Sequence, residues 1–182
     1  MNRRDVERLL VEAKRVTSHK DYVIIGSLSV LGAADEPPEA MTGSIDVDLY
    51  PKDDPDRASE VARALGLGSE FERKFGYYAD AVSPWLPTLP DDWESRLIEI
   101  PFDSGVTAWF LEPNDAAISK YARSESRDRA WIRAGLAAGI LSMPSIEYRM
   151  RETVMETDER QRAQQSMAED RVQFGPTDEE NA

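Results

Sequence analysis

Residues 45–50 read Ile-Asp-Val-Asp-Leu-Tyr, a stretch in which apolar and acidic side chains alternate. This alternation has the period of a β-strand, so Asp46 and Asp48 are predicted to point to the same face of one strand. Upstream, residues 22–27 read Tyr-Val-Ile-Ile-Gly-Ser, the pattern of a buried strand that ends in a glycine turn. These two strands decide the fold, and the other elements are predicted around them.

The periodicity of the flanking sequence predicts an α/β domain with a mixed sheet of about five strands, flanked by helices and followed by a helical C-terminal subregion. Further strands are predicted over residues 75–82, 97–100 and 106–111, helices over residues 5–16, 27–34, 56–65, 114–122 and 126–138, a last helical segment from Pro144, and loops over residues 35–40 and 83–93. Asn114 or Asp115 is predicted to cap one C-terminal helix, and Ser126 the next.

The domain organisation is predicted as one folded body and a tail. Residues 1–143 are expected to form the α/β domain, including its helical part over residues 114–143. Residues 144–182 are expected to add a C-terminal helix and a charged tail, of which roughly the last ten to fifteen residues should fray.

Composition excludes several kinds of site. The chain has no cysteine and a single histidine, His19, which rules out thiolate chemistry and histidine-rich metal sites. Carboxylates must then carry any metal chemistry, and they favour hard cations such as Mg²⁺ or Mn²⁺. The formal net charge of −13 argues against a general DNA-binding role. No apolar run approaches the roughly 20 residues that cross a bilayer, so a cytoplasmic protein without a membrane partner is expected.

The two quoted motifs match the needs of nucleotidyl transfer, which uses a cation held by carboxylates and donors aimed at phosphates. Asp46 and Asp48 would lie about 6–7 Å apart along one strand face. Gly26 would let the backbone approach a phosphate closely, while Ser27 and the following helix start could donate hydrogen bonds. The alternative interpretations are a common turn for Gly26-Ser27 and a solvated strand face for the two aspartates.

Beyond these motifs, a wider set of stretches shows a family resemblance: residues 25–27, 44–51, 75–82, 88–93, 111–115 and 119–120. Through them the chain resembles an uncharacterised bacterial nucleotidyltransferase-like family. That family belongs to the superfamily of the minimal nucleotidyltransferases and the nucleotidyltransferase toxins. The resemblance spans residues 22–141, most of the predicted body.

The resemblance implies roles for individual residues. In the superfamily the Gly-Ser turn holds the triphosphate, two strand carboxylates bind Mg²⁺, and a third acid on a neighbouring strand completes the site. Gly26 and Ser27 are therefore expected to bind phosphate. Asp46, Asp48 and Asp80 are expected to be the catalytic, metal-binding acids. Asp80 lies in an apolar, aromatic stretch, where it could instead be an ordinary acid on an edge strand.

A basic helical element is also shared with the family, in the pattern Lys-x-x-(Ala/Gly)-Arg-x-x-Asp. Here it consists of Lys120, Arg123 and Asp128, and residues 124–126 lengthen the segment between the Arg and the Asp. Lys120 and Arg123 lie three residues apart, so one helix face could present both cations to phosphates or to a polynucleotide end. The alternatives are a solvated basic face or an ion pair with Asp128.

The aromatic residues outside these motifs receive structural interpretations. Trp131 has the spacing of a core residue. Trp85 and Trp93 lie in the predicted loop over residues 83–93, where they could cover the site as a lid or anchor the loop to the body.

Taken together, these features predict a metal-dependent nucleotidyltransferase that uses a nucleoside triphosphate as its substrate. The acceptor hydroxyl could belong to an RNA end, a protein or a small molecule. The resemblance to toxins further implies a toxin–antitoxin component with a cognate antitoxin as partner. The alternatives are a catalytically idle domain of the same fold that binds a nucleotide or a partner, and a structural subunit whose acids lie on the surface.

Overall fold

A computed structural model of the 182-residue chain describes residues 1–174. The strands are β1 (Asp21–Ile24), β2 (Asp46–Pro51), β3 (Tyr78–Ala81), β4 (Ile98–Pro101) and β5 (Thr107–Phe110). The helices are α1 (Arg3–Thr17), α2 (Glu39–Thr42), α3 (Ala58–Leu65), α4 (Glu70–Phe75), α5 (Pro113–Arg123), α6 (Ser126–Ala137), α7 (Met143–Glu152) and α8 (Thr157–Phe174), with short 3₁₀ helices at Ser27–Gly32, Pro55–Arg57 and Trp93–Arg96.

The five strands form one mixed sheet in the order β3-β2-β1-β5-β4. Strand β1 is antiparallel to β2 and parallel to β5, β2 is parallel to β3, and β4 is antiparallel to β5. The predicted α/β class, with a mixed sheet of five strands, flanking helices and a helical C-terminal part, is confirmed. The two strands that carry the sequence motifs, β1 and β2, are direct neighbours near the centre of the sheet.

Alternate residues of β1 and β2 face two separate hydrophobic cores because side chains alternate along a strand. Ile24 and Leu49 belong to the core that α1 covers with Leu9 and other apolar side chains. Val23 and Tyr50 belong to the opposite core, which helices α5 to α8 complete. Asp46 and Asp48 lie on the face of β2 that also carries Tyr50, so the acids look toward the C-terminal helices.

Three element predictions need correction. The segment predicted to begin a helix at Ser27 forms only the short 3₁₀ helix Ser27–Gly32, and most of it is buried. The predicted loop over residues 35–40 ends in helix α2, whose Met41 and Thr42 are buried. The predicted strand over residues 75–82 begins late, because Ser69 caps helix α4 and Gly76 ends it with a positive φ of 79°. Aromatic residues had favoured a strand there, but local capping decided the helix.

Both helix caps lie upstream of the predicted residues. Glu112 caps α5, since its carboxylate accepts hydrogen bonds from the backbone N–H groups of Asn114 and Asp115. Glu125, instead of Ser126, takes the cap position of α6. Both predicted caps had been short polar side chains, the usual preference at this position.

The C-terminal part is helical further than predicted. Helix α8 continues to Phe174 and buries Met167 and Asp170 against the body, although fraying had been expected over roughly the last ten to fifteen residues. The remainder of that expectation, over residues 175–182, lies outside the described residues. Among residues 1–174, no helix combines the length and the apolar character needed to cross a bilayer.

Candidate active site

Three aspartates converge where β2 and β3 run side by side. The strands pair in parallel with Asp48 opposite Asp80 and Asp46 opposite Tyr78, which brings all three acids to one face. Carboxylate oxygens of Asp46, Asp48 and Asp80 lie within 4.8 Å of one another. This separation is comparable to the roughly 4.2 Å between opposite ligands of one Mg²⁺ with bonds of about 2.1 Å. We call these three residues the acid centre.

The glycine turn after β1 lies directly against the acid centre. The backbone N–H of Ile25 donates a 3.0 Å hydrogen bond to the carbonyl oxygen of Asp48, which aligns the end of β1 with the acid. Gly26 has a φ of 69°, and a Cβ added there would overlap the Asp48 carboxylate. Glycine is required here for both conformation and space. The turn and the acids therefore share one small region, as the sequence motifs predicted.

A buried lysine connects the C-terminal helices to the glycine turn. Lys120 Nζ, on α5, donates hydrogen bonds to Ser27 Oγ at 3.0 Å and to Asp128 Oδ1 at 3.1 Å. Its side chain is 4% exposed and that of Asp128 is 2% exposed, so both charges are removed from water. Burial lowers the pKa of Lys120, and the charge and hydrogen bond of Asp128 oppose that shift. The ion pair with Asp128, an alternative left open by the sequence, is present.

Arg123 completes the basic side of the site. Its guanidinium donates to both carboxylate oxygens of Asp128, through Nε to Oδ2 at 3.2 Å and through a terminal nitrogen to Oδ1 at 2.9 Å. Unlike Lys120, Arg123 keeps 51% of its side chain exposed. The two cations thus share one carboxylate, with Arg123 on the solvent side. A guanidinium carries five N–H donors, so the exposed side of Arg123 could also donate to an incoming phosphate.

The acid centre carries negative charge that nearby cations do not neutralise by contact. Within residues 1–174, the closest basic groups pair with Asp128 instead of with the three aspartates. Burial raises the pKa of Asp48 to about 6, repulsion from Asp46 and Asp80 adds to the rise, and the charges of Lys120 and Arg123 oppose it. Burial and Asp46 likewise raise the pKa of Asp80. A cation bound between these carboxylates would offset their mutual repulsion, so the site favours cation binding.

Two supporting residues were not assigned a site role from the sequence. Trp131, on α6, donates its indole N–H to the carbonyl oxygen of Ser27 at 3.0 Å, and Lys120 Nζ lies 4.9 Å from the centroid of its ring. Ser44 donates its hydroxyl to Asp46 Oδ1. Trp131 is a buried core residue as predicted, but it also holds the turn. Its spacing in the sequence carries no signal of this second contact.

A small cavity of about 60 Å³ lies between the acids and the basic helix. Its lining includes three of the four residues predicted for phosphate binding, Gly26, Lys120 and Arg123, together with Asp48 of the acid centre. Leu86 and Pro87 of the loop before β4 also line the cavity. The Asp48 carboxylate on one wall and two cations on the other suit a ligand that combines a metal ion with phosphates.

A mixed sheet with a glycine turn after β1, paired acids on β2 and a third acid on β3 defines a nucleotidyltransferase-like protein. A family model for nucleotidyltransferases of unknown function (DUF6036) matches residues 4–174, and the chain belongs to that family. Comparison with curated proteins and with solved structures found no match. The family match therefore supports the resemblance seen in the sequence and extends it to helices α7 and α8.

Proposed function

We propose that this protein is a divalent-cation-dependent nucleotidyltransferase that transfers a nucleoside monophosphate from a nucleoside triphosphate to a hydroxyl group. The observation that carries the proposal is the acid centre, in which Asp46, Asp48 and Asp80 converge and, within residues 1–174, form no salt bridge with a Lys or Arg side chain. Three carboxylates in one place repel each other, and a bound cation would offset that repulsion.

The donor atoms of the acid centre fit Mg²⁺ or Mn²⁺. All three side chains offer oxygen ligands, which these hard cations prefer over nitrogen or sulfur. Asp46, Asp48 and Asp80 would hold the ion. When bound, the ion would neutralise charge on the phosphates and help to orient them.

The triphosphate would lie between the glycine turn and the basic helix. Gly26 allows the backbone to approach closely, Ser27 offers a hydroxyl, and Lys120 already reaches that hydroxyl. Arg123 is free enough on its solvent side to contact an outer phosphate. Cations at this position stabilise the charge that accumulates on the leaving pyrophosphate. Asp128 would keep both cations oriented before the substrate arrives.

The transfer itself is an in-line displacement at the α-phosphorus. The acceptor oxygen forms a bond to phosphorus, the bond from phosphorus to the bridging oxygen of the β-phosphate breaks, and pyrophosphate leaves with that electron pair. The hydroxyl proton passes to the Asp80 carboxylate. A carboxylate within hydrogen-bond reach of the hydroxyl can act as this general base.

The experiment is an incorporation assay with each labelled triphosphate, Mg²⁺ or Mn²⁺, and total RNA, total protein or a metabolite extract as acceptor. We expect incorporation by the wild type and a loss of at least about a hundredfold in Asp46→Asn and Asp48→Asn. Asp103→Asn, an exposed acid away from the site, is the matched control. Equal incorporation by the Asp48 variant and the control would contradict the proposal.

The same variants distinguish the alternatives. Cation-dependent triphosphate binding that is lost in Asp48→Asn, without incorporation into any acceptor, would instead favour a catalytically idle binding domain. Absence of triphosphate binding would favour a structural subunit. The resemblance to toxins extends the proposal to a toxin–antitoxin role in the cytoplasm, with a cognate antitoxin as partner. Induced expression of the wild type should then arrest growth, and the Asp48 variant should not.

A further inference from the structure

A large groove of about 590 Å³ lies beside the acid centre on the same face of the sheet. Its lining comes from β1 and β2, the residues after β2, the end of β3 with the following loop, and the 3₁₀ helix Trp93–Arg96. The volume falls within the range of roughly 300–1,000 Å³ that is typical of small-molecule sites. The triphosphate-binding residues Gly26, Lys120 and Arg123 line the smaller cavity instead.

The groove begins one strand repeat beyond the acids. Tyr50 follows Asp48 by two residues and Val82 follows Asp80 by two, so each lies about 6–7 Å further along the same face. Val82 lines both the groove and the small cavity, so the two adjoin at this side chain. Because β1 runs antiparallel to β2, it passes Tyr50 first and ends in the glycine turn beside Asp48, away from the groove. An in-line displacement places acceptor and pyrophosphate on opposite sides of the phosphorus, so a triphosphate held at the glycine turn would leave the side of the groove to the acceptor.

Aromatic side chains form much of the groove. Tyr50 is buried at its floor, Trp93 is half-buried, and Trp85 is 90% exposed. Flat aromatic faces carry negative charge density, and they attract organic cations to within roughly 6 Å of the ring. The Trp85 ring is therefore accessible to a ligand. It does not anchor the loop to the body, which was one of the two interpretations of this residue from the sequence.

Charge in the groove also favours a cation. Asp56 and Glu94 line it as acids, and both are exposed enough to reach a ligand. Lys52 is the opposing cation of the lining, and its ammonium lies 4.6 Å from the centroid of the Trp109 ring. The formal net charge of the whole chain, −13, acts in the same direction at long range. An RNA end would bring several phosphates to this surface and would be repelled.

Resting on the proposed function, we propose that the groove binds the acceptor and that the acceptor is a small hydroxylated amine of about disaccharide size. Its ammonium groups would lie against Glu94, Asp56 and the Trp85 ring. One of its hydroxyl groups would reach the acid centre past Val82. There its oxygen forms the bond to the α-phosphorus, pyrophosphate leaves, and Asp80 takes the hydroxyl proton. The structure thus favours the small-molecule class among the three acceptor classes that the sequence left open.

The test uses the full chain and two sugars that differ only at their nitrogens. The β-1,4-linked glucosamine disaccharide carries two ammonium groups, and its N,N′-diacetyl form has the same rings and hydroxyls without charge. Isothermal titration calorimetry should show at least about tenfold tighter binding of the charged sugar. Glu94→Gln and Asp56→Asn should each weaken that binding severalfold, and added salt should weaken it further. Glu99→Gln, an exposed acid on β4, is the matched control and should leave binding unchanged.

Four results would overturn the inference: equal affinity for the two sugars, no binding of either sugar, displacement of the charged sugar by an oligoribonucleotide, or an equal loss of Mg²⁺-ATP affinity in Glu94→Gln. The last would show that the groove holds the nucleoside. A separate titration of Mg²⁺-ATP into the wild type and Asp48→Asn reports on the proposed function alone. Loss of triphosphate binding in Asp48→Asn without selective sugar binding would reject the acceptor class and leave the proposed function standing.

Discussion

Two groups of aspartates in this protein differ in their burial and in their partners. In the C-terminal helices, each buried aspartate is neutralised: Asp115 by Arg96 and Arg149, Asp128 by Lys120 and Arg123, and Asp170 by Arg129 and Arg133. In the acid centre, the three strand aspartates instead face one another. The helical acids therefore complete the fold, whereas the strand acids form no salt bridge within residues 1–174, and the proposed metal–phosphate ligand would supply their positive partner.

The largest effect on folding is expected at Asp170. Its carboxylate accepts hydrogen bonds from Arg129 at 3.0 Å, Arg133 at 2.8 Å and the Tyr121 hydroxyl at 3.0 Å, and its side chain is fully buried. Asp170→Asn would replace the buried negative charge with a neutral amide, so the two guanidinium groups would lose their counter-charge. The free energy of unfolding should fall by about 3 kcal/mol. Urea denaturation measures the loss.

Asp158→Asn is the control for this prediction, because Asp158 lies on the same helix with its side chain 80% exposed. Its free energy of unfolding should stay within about 0.5 kcal/mol of the wild type. Equal losses in the two variants would show that the paired acids are not what holds α8 against the body.

An opposite effect is expected at Asp48. Folding raises the pKa of this acid from 3.8 to about 6, so the folded state binds its proton more tightly than the unfolded state does. The wild type should therefore lose stability as the pH rises from about 4 to about 6. Asp48→Asn removes that cost and should stabilise the metal-free protein at pH 7.5 by roughly 1–3 kcal/mol.

Thermal denaturation at pH 3.5 and pH 7.5 tests the sign, because the advantage of Asp48→Asn should disappear at the lower pH. Asp103→Asn, at an exposed position, should show no such pH dependence. Added Mg²⁺ should raise the melting temperature of the wild type more than that of the Asp48 variant. A destabilised Asp48 variant at pH 7.5 would mean that the acid centre is compensated in the folded protein.

The smallest effect on stability is expected at Arg123, which connects the two groups of acids. Its side chain is 51% exposed, and Lys120 would still contact Asp128 after its removal. Arg123→Gln should change the free energy of unfolding by less than about 1 kcal/mol. Nucleotidyl transfer should nevertheless slow by roughly tenfold or more, because a charge near the phosphates is lost.

Arg127→Gln is the matched control, since Arg127 lies on the next helix with its side chain 83% exposed. Paired incorporation and denaturation measurements on both variants separate catalysis from folding. If Arg123→Gln slowed transfer no more than Arg127→Gln does, Arg123 would be only a partner of Asp128.

The element predictions succeeded where the pattern is local. Alternation along β2 and the apolar run of β1 are properties of a few consecutive residues, and both strands are present. The strand predicted from Phe75 failed at its start because a serine cap and a left-handed glycine favoured a helix over aromatic strand propensity. Helix α2 was missed because its stability comes from burying Met41, a contact that a four-residue sequence cannot indicate.

The candidate site was predictable in its parts but not in its connections. The contact from Lys120 to Ser27 joins residues 93 positions apart, and the contact from Trp131 to Ser27 joins residues 104 apart. Local periodicity reports which face a side chain takes and not which distant element it meets. From the sequence, an ion pair with Asp128 was one of several interpretations of Lys120 and Arg123. In the folded protein, both cations contact Asp128.

The class of fold, the placement of the strand acids on one face and the glycine turn at the end of β1 could be predicted from the sequence, because backbone periodicity and glycine conformation are local properties. The proximity of that turn to the acids and the convergence of Asp80 with Asp46 and Asp48 come from tertiary structure, since they depend on the register between strands that are separated in the chain. The groove beside Tyr50 was likewise decided by tertiary structure. Its walls come from segments that are distant in the chain, and packing alone brings them together.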